Sequence, residues 1–500
     1  EEYIAQLVPT YQLIQKVKLK VFGHSGAGKS TLIDSLKCGY FSSWFRRSSK
    51  ASTQTTNRRL SEETTHDLVN SNSTGFLNFH NSSSQDYTKG IDCQQVNISG
   101  IGDLSIWEFS GHESYYQIYD HFIGNTNCYH AIIFSLYDPL DIQMQKIRFW
   151  LDFLQSRLPI QEPLLQCGKS SHAAKVILIG THDDLINSNN NNEINNCDGQ
   201  VIIQEIINEY GNIFDIYENL IALDANVVGS ASMKQLKQYL SSNKTNVIQG
   251  VPFTTGFLDA VMTFINICRK AVLTFPVLLW SQFKEMLRTQ VNPLASEDHL
   301  KELVQQLQVM GEIIYIKGKT SSLDQIVINP TWFTVDIIGN LLNHEYINKN
   351  RVNGSYSVDD IQMLFPETDA LDLLQTLESI SLCAQCDHES DIGYEFACFN
   401  MLEPFDGIWD KFHSQNSDYV YSGICFQTEK NIENNLSLLC IFPRIQISLR
   451  QAMTKFNDLA ENDLYQWSKG SKLTVGSLEA LIAQSSLNNL HSYSAIDIKV

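Results

Sequence analysis

One stretch constrains this chain more than any other: Gly23-His24-Ser25-Gly26-Ala27-Gly28-Lys29-Ser30, a full match to G-x-x-x-x-G-K-S/T. Before it, Lys16-Val17-Lys18-Leu19-Lys20-Val21-Phe22 alternates with a period of two, which predicts a strand. After it, Lys29 to Cys38 carries a helical pattern closed by Gly39. A strand, a glycine turn and a helix in that order place consecutive backbone N–H groups around an anion, with the positive end of the helix behind them. Lys29 is expected to reach the terminal phosphates of a bound nucleotide, and the Ser30 hydroxyl to hold Mg²⁺. The expected contact stretch runs from Gly23 to Thr31.

Later apolar runs repeat the strand-then-helix rhythm. Leu104–Phe109, His130–Leu136, Lys175–Gly180 and Leu220–Asp224 read as buried strands, and Ile142–Arg157, Val201–Tyr210 and Met233–Tyr239 as helices. This alternation predicts an α/β fold with a doubly wound, mostly parallel sheet over 16–270, preceded by a connector at 1–15. Polar insertions interrupt it at 41–87 and 187–197. The first carries Arg46-Arg47-Ser48-Ser49, which reads as a solvated loop or as a site for a basophilic kinase. From 271 to 397 the texture is mixed α/β. Ser296 caps a helix ending at Gly311, and strands at Glu312–Ile316 and Gln325–Ile328 make a winged-helix-like unit. Beyond Cys398 the expectation is a β-rich, truncated part, with strands at Tyr419–Gln427, Leu438–Phe442, Ile445–Leu449 and Ala495–Val500.

Three further segments match a nucleotide site. Thr181-His182-Asp183-Asp184 follows a strand, and a carboxylate there can accept from the guanine ring N–H and exocyclic amine. Asp184 is the expected base reader, with Thr181 and His182 as its supporting loop; an aspartate capping a helix start fits the same position. In Glu108-Phe109-Ser110-Gly111-His112, Gly111 is positioned to offer its N–H to a γ-phosphate. Glu108 stands where a metal-linked aspartate is usual, one methylene longer. His112 occupies the place where translational GTPases orient the attacking water, although a surface-loop histidine fits it equally well. Thr88, just before a strand, is the expected second Mg²⁺ ligand.

Composition narrows the alternatives. Lys plus Arg is 36 against 55 Asp plus Glu, a net charge of −19, which argues against global binding to nucleic acid or an anionic membrane. Eleven cysteines without paired spacing read as a reduced, cytoplasmic chain, and Cys383-Ala384-Gln385-Cys386 with His388 is only a partial zinc pattern. No apolar run approaches the roughly 18–20 residues that a membrane span needs. The start at Glu1-Glu2 reads as a piece of a longer protein.

Taken together, these motifs resemble the Roc family of Ras-like GTPase domains. Asn329-Pro330-Thr331-Trp332-Phe333 is similar to the N-P-x-W segment of the COR domains that follow them. Leu36-Lys37-Cys38-Gly39, Trp107-Glu108-Phe109-Ser110-Gly111 and Asn292-Pro293-Leu294-Ala295-Ser296-Glu297 resemble the death-associated protein kinases, in which a glutamate at position 108 is expected. The resemblance implies GTP or GDP with Mg²⁺ as cofactors and slow hydrolysis. It also implies a homodimer through COR, and contacts with a Ser/Thr kinase domain and ankyrin repeats elsewhere in the longer protein. H-R-D, D-F-G and V-A-I-K are absent from this chain, so it carries no kinase chemistry itself. A Roc–COR dimerisation or autoinhibition scaffold with structural nucleotide, and a P-loop ATPase, are the alternatives.

Overall fold

The computed structural model describes residues 1–38, 87–124, 126–158, 173–187, 195–318, 323–343, 352–388, 391–405, 408, 423–427, 435–453, 455, 459–476, 478–486 and 494–499. The insertion at 41–87 lies outside the described residues except for Tyr87, and that at 187–197 does so over 188–194.

The first sheet has seven strands: β1 (Val17–Phe22), β2 (Ile91–Ile98), β3 (Gly102–Phe109), β4 (Cys128–Ser135), β5 (Ala174–Thr181), β6 (Phe214–Ile216) and β7 (Ile221–Ala222). Their order is β2-β3-β1-β4-β5-β6, with β7 also on β5. Only the β2–β3 pair is antiparallel. The chain leaves β1 towards β3 on one side and β4 on the other, so the strand order reverses at β1. The crevice beyond its C-terminal end is therefore where an open α/β sheet binds ligands, and Gly23 begins there. Apolar clusters line both faces of the sheet.

The alternation of lysines in β1 does not give it a wet face. All six residues are buried, Lys18 and Lys20 included. The Lys20 ammonium donates to the Ile123 carbonyl at 2.6 Å, and that of Lys18 lies 4.1 Å from the Trp107 ring centroid. A central strand between two parallel neighbours has helices over both faces. Its lysines must therefore find carbonyl and aromatic partners inside the protein.

The winged-helix-like unit forms much as expected. Helix Glu297–Met310 starts at Ser296, whose hydroxyl accepts from the His299 N–H at 3.3 Å, and ends at Gly311 in the left-handed conformation (φ 72°). Strands β8 (Val277–Leu279), β9 (Ile314–Ile316) and β10 (Gln325–Val327) make an antiparallel sheet in the order β8-β10-β9. A second three-stranded sheet, β11-β13-β12, combines β11 (Asn353–Ser357), β12 (Ala384–His388) and β13 (Asp391–Asn400). Strand β13 runs straight through the expected 397/398 boundary. Cys383 and Cys386 are buried here, and among the described residues no group of three or more His, Cys, Asp or Glu side chains is arranged to hold a metal ion.

One expectation fails in the C-terminal part. Leu438–Phe442 and Ile445–Leu449 are not strands but one helix, Asn435–Met453, with Pro443 inside it. An unbroken apolar run cannot by itself distinguish a buried strand from a buried helix. Cys440, Ile447 and Gln451 are all buried, at helical spacing, and Ile447 packs with Ala384 and Ala397 of the neighbouring sheet. The last sheet follows the order β14-β18-β17-β16-β15, built from β14 (Gly423–Gln427), β15 (Leu464–Trp467), β16 (Gly470–Val475), β17 (Leu478–Ser486) and β18 (Ser494–Lys499). The final strand is interior, paired on both sides. Among the described residues no helix is long and apolar enough to cross a membrane.

The second half of the chain grips the first sheet at its β2 edge. The π-helix Trp332–Ile337, which begins at the end of the Asn329-Pro330-Thr331-Trp332 segment, lies along β2. Thr334 donates to the Ile91 carbonyl at 2.6 Å and Thr331 to that of Cys93 at 2.9 Å. At the opposite end of the chain, Asn292 is fully buried and donates to the Tyr3 carbonyl at 2.8 Å, fixing helix Glu2–Leu7.

Candidate functional site

The phosphate-loop motif forms a turn whose last glycine, Gly28, caps helix Lys29–Lys37 in the left-handed conformation (φ 80°), which L side chains adopt only with strain. Lys29 is buried, and its ammonium donates to the carbonyls of Gly23 at 2.8 Å and His24 at 3.0 Å. Burial lowers its pKa to about 8, with the nearby Glu108 carboxylate opposing the shift. Ser25 and Gly26 are exposed, as is Thr31 in the first turn of the helix, whereas Ala27 is buried.

Three groups proposed from sequence as metal ligands meet beside the loop. One Glu108 carboxylate oxygen accepts from Ser30 at 2.6 Å and from Thr88 at 2.8 Å, and the two hydroxyl oxygens are 3.4 Å apart. Adjacent ligands of an octahedral Mg²⁺ with bonds of about 2.1 Å sit roughly 3 Å apart. Three hard oxygens separated by 2.6 to 3.4 Å therefore fit one face of such a shell. The extra methylene of Glu108 lets the carboxylate touch both hydroxyls directly.

Gly111 presses against the loop. A Cβ there would lie 2.2 Å from the Ser25 nitrogen and 2.3 Å from the His24 carbonyl carbon, so only glycine fits. Two tyrosines hold this turn from behind, with the Tyr116 hydroxyl donating to the Gly111 carbonyl at 2.9 Å and that of Tyr119 to the Ser110 carbonyl at 2.7 Å. Neither is marked in the sequence, where a tyrosine looks the same whether or not its hydroxyl holds a turn. His112 stacks on Tyr87 with ring centroids 5.0 Å apart, and its Nδ1 lies 2.8 Å from the Ser114 hydroxyl. The Tyr87 hydroxyl in turn donates to Asn343 at 2.6 Å, and that of Tyr115 to the Gly339 carbonyl at 2.8 Å. The Thr88 and Gly111 segments are thus both tied to the second half of the chain.

The base-reading segment joins the loop through Thr181, whose buried hydroxyl lies 2.8 Å from the Ala27 carbonyl and 3.1 Å from that of Phe134. His182 adopts a left-handed backbone (φ 61°), with its Nδ1 3.1 Å from the Thr181 hydroxyl. Asp184 lies exposed in the first turn of the short helix Asp183–Asn187.

A glycine loop at the strand-order reversal of a β2-β3-β1-β4-β5-β6 sheet, with a lysine, two hydroxyls and a carboxylate converging beside it, defines a P-loop α/β protein of Ras-like topology. No family model matches the chain. The chain is 34% identical over 511 residues to death-associated protein kinase dapk-1 of Caenorhabditis elegans, an alignment spanning 96% of this chain and 35% of that protein. The kinship expected from the motifs is borne out: the chain is homologous to a stretch of a death-associated protein kinase. It is also 26% identical to the probable serine/threonine-protein kinase roco5 of Dictyostelium discoideum, over 46% of this chain and 7% of that protein. The chain therefore spans about a third or less of the length of these relatives. Among solved structures, the RocCORdC part of Methanosarcina barkeri Roco2 bound to GDP is similar with a TM-score of 0.45 and 14% identity, covering 78% of this chain and 98% of that one.

Proposed function

We propose that the chain is a guanine-nucleotide-binding Roc–COR switch that binds GTP or GDP with Mg²⁺ and hydrolyses GTP slowly. The convergence of Ser30, Thr88 and Glu108 beside the Lys29 loop carries this reading. Lys29 leaves two backbone carbonyls for the phosphates, and the loop amides and the N-terminus of helix Lys29–Lys37 add donors. Ser30, Thr88 and Glu108 would hold Mg²⁺, whose charge neutralises the phosphate oxygens. Gly111 supplies an N–H towards the γ-phosphate, His112 stands next to it as the water-positioning residue, and Asp184 accepts from guanine.

The described arginines are consistent with slow turnover. Among the described residues each one is paired with a carboxylate: Arg148 with Glu205 and Glu209, Arg157 and Arg444 with Asp120, Arg269 with Glu312, Arg288 with Glu297, and Arg450 with Glu395. None of these six is free to stabilise transition-state charge, the role an arginine finger plays; Arg46, Arg47, Arg58, Arg59 and Arg351 lie outside the described residues. In the longer protein, the nucleotide state would be passed through the COR-like half to a serine/threonine kinase domain. The direct contact of Glu108 with both hydroxyls favours a second reading, a scaffold that holds nucleotide structurally. Titration with fluorescent GDP and GTP, with and without Mg²⁺, alongside single-turnover GTP hydrolysis, separates the two. Tight Mg²⁺-dependent binding with measurable turnover supports the switch; binding without turnover supports the scaffold; no guanine nucleotide binding removes both.

A further inference from the structure

The two halves of the phosphate loop are anchored by side chains from two different elements. The Thr181 hydroxyl, at the end of β5, holds the second half through the Ala27 carbonyl. The first half is held by Trp150 of helix Leu140–Gln155. Its indole N–H donates to His24 Nδ1 at 3.2 Å, and the imidazole sits edge-on to the Trp150 ring and 5.1 Å from that of Phe149. Trp150 is fully buried, so its N–H needs an acceptor inside the protein, and His24 provides it.

His24 is a consequential residue to tether. Its carbonyl receives the Lys29 ammonium at 3.0 Å and the Ala27 N–H at 3.2 Å, and its peptide unit is the one that Gly111 packs against. A rotation of the His24 peptide would displace the resting place of Lys29 and the surface under Gly111 together. Burial holds the His24 pKa near 4, so the ring stays neutral and Nδ1 stays an acceptor across the physiological range. The same helix is braced on its outer side by Arg148, paired with Glu205 and Glu209 of helix Asn195–Tyr210.

We propose that Trp150 is a positioning residue for the phosphate loop. Through its hydrogen bond to His24 it fixes the carbonyl on which Lys29 rests, and so couples the setting of helix Leu140–Gln155 to nucleotide retention. The retention part of this inference rests on the nucleotide-binding reading; the positioning part does not.

Trp150→Phe removes the indole N–H while keeping an aromatic ring against Phe149, Tyr116 and Phe153. In the nucleotide-free chain, backbone amides of Gly23 to Ser30 should exchange with deuterium faster in this variant than in the wild type. GDP should also dissociate faster, roughly tenfold for the loss of one buried hydrogen bond. In the wild-type chain, the Trp150 indole N–H resonance, assigned by its disappearance in the variant, should shift when GDP is added. His24→Ala, which keeps Trp150 and removes the acceptor, should reproduce the faster exchange, and it decides the matter if Trp150→Phe does not fold. Wild-type exchange of the Gly23–Ser30 amides in the folded variants would overturn the proposal. Faster exchange with unchanged GDP dissociation would overturn its coupling to retention. If the wild-type chain binds no GDP, the nucleotide-binding reading and retention fall, while the exchange measurement still decides positioning.

Discussion

The two ends of the candidate site are built differently. At the phosphate end the central polar side chains are already engaged: Lys29 on two carbonyls, Ser30 and Thr88 on Glu108, and Tyr116 and Tyr119 behind the Gly111 turn. At the base end only Thr181 is buried and bonded to the loop, and the proposed reader Asp184 projects from an exposed helical turn. Preorganised donors bind without the ordering that loose ones require. The phosphate end should therefore set affinity, and the base end should set only the choice between nucleotides.

The sharpest way to break this contrast is Lys29→Ala. Losing charge-assisted hydrogen bonds of roughly 1.5–3 kcal/mol each should weaken GDP by about a hundredfold or more, measured by fluorescent-nucleotide titration. If the loss were no greater than that from a base-end variant, the contrast would be wrong. At the base end, Asp184→Asn places an amide donor against the guanine amine. GTP should weaken by about tenfold while xanthosine triphosphate, with a carbonyl at that position, should improve. Unchanged GTP affinity would make Asp184 a helix cap. Between the two ends, Glu108→Ala should reduce the Mg²⁺ dependence of GTP binding by about fivefold, roughly one charge-linked contact. A metal titration that looks the same in variant and wild type would sink the assignment of Glu108 to the ion.

A smaller effect concerns the strand that carries the loop. Burial pushes the Lys18 pKa from an ordinary 10.5 down to about 7. The unfolded chain therefore holds this proton over a range in which the folded chain has released it. Stability is greatest above about 10.5 and declines as pH falls towards 7, below which the burial penalty is complete. Lys18→Met should flatten this dependence and raise the neutral-pH melting temperature by a few degrees, as follows from roughly 1.4 kcal/mol per pKa unit partly offset by the lost contact with Trp107. An unaltered pH profile by calorimetry would show that Lys18 is solvated after all.

What the sequence discloses divides along the same line. The loop, Gly111 and the Thr181–Asp184 segment are readable because backbone geometry and phosphate chemistry demand particular residue types at fixed spacing. Glu108 and Thr88 could be named as candidates, but their shared contact with Ser30 depends on three segments meeting beyond the C-terminal ends of β1 and β3. Trp150, Tyr116 and Tyr119 leave no comparable signal, since an aromatic residue in an amphipathic helix looks the same whether or not its polar atom holds a loop. The lysines of β1 read as a strand by alternation, yet nothing local reveals that both its faces are covered. Helix Asn435–Met453 replaces two expected strands because short apolar runs fit either element locally, and packing of Ile447 against Ala384 and Ala397 decides between them.

The interior place of β18 in the last sheet sets a timetable. Its partner β14 ends at Gln427, and β18 begins only at Ser494. During synthesis at about 5–20 residues per second, β14 emerges roughly 3–13 s before the strand that pairs with it exists. Through that interval its backbone N–H and C=O groups lack their eventual sheet partners, an unpaired strand of the kind that invites wrong pairing. Loss of Ser494–Lys499 would remove the shared neighbour of β14 and β17, and the waiting would not end.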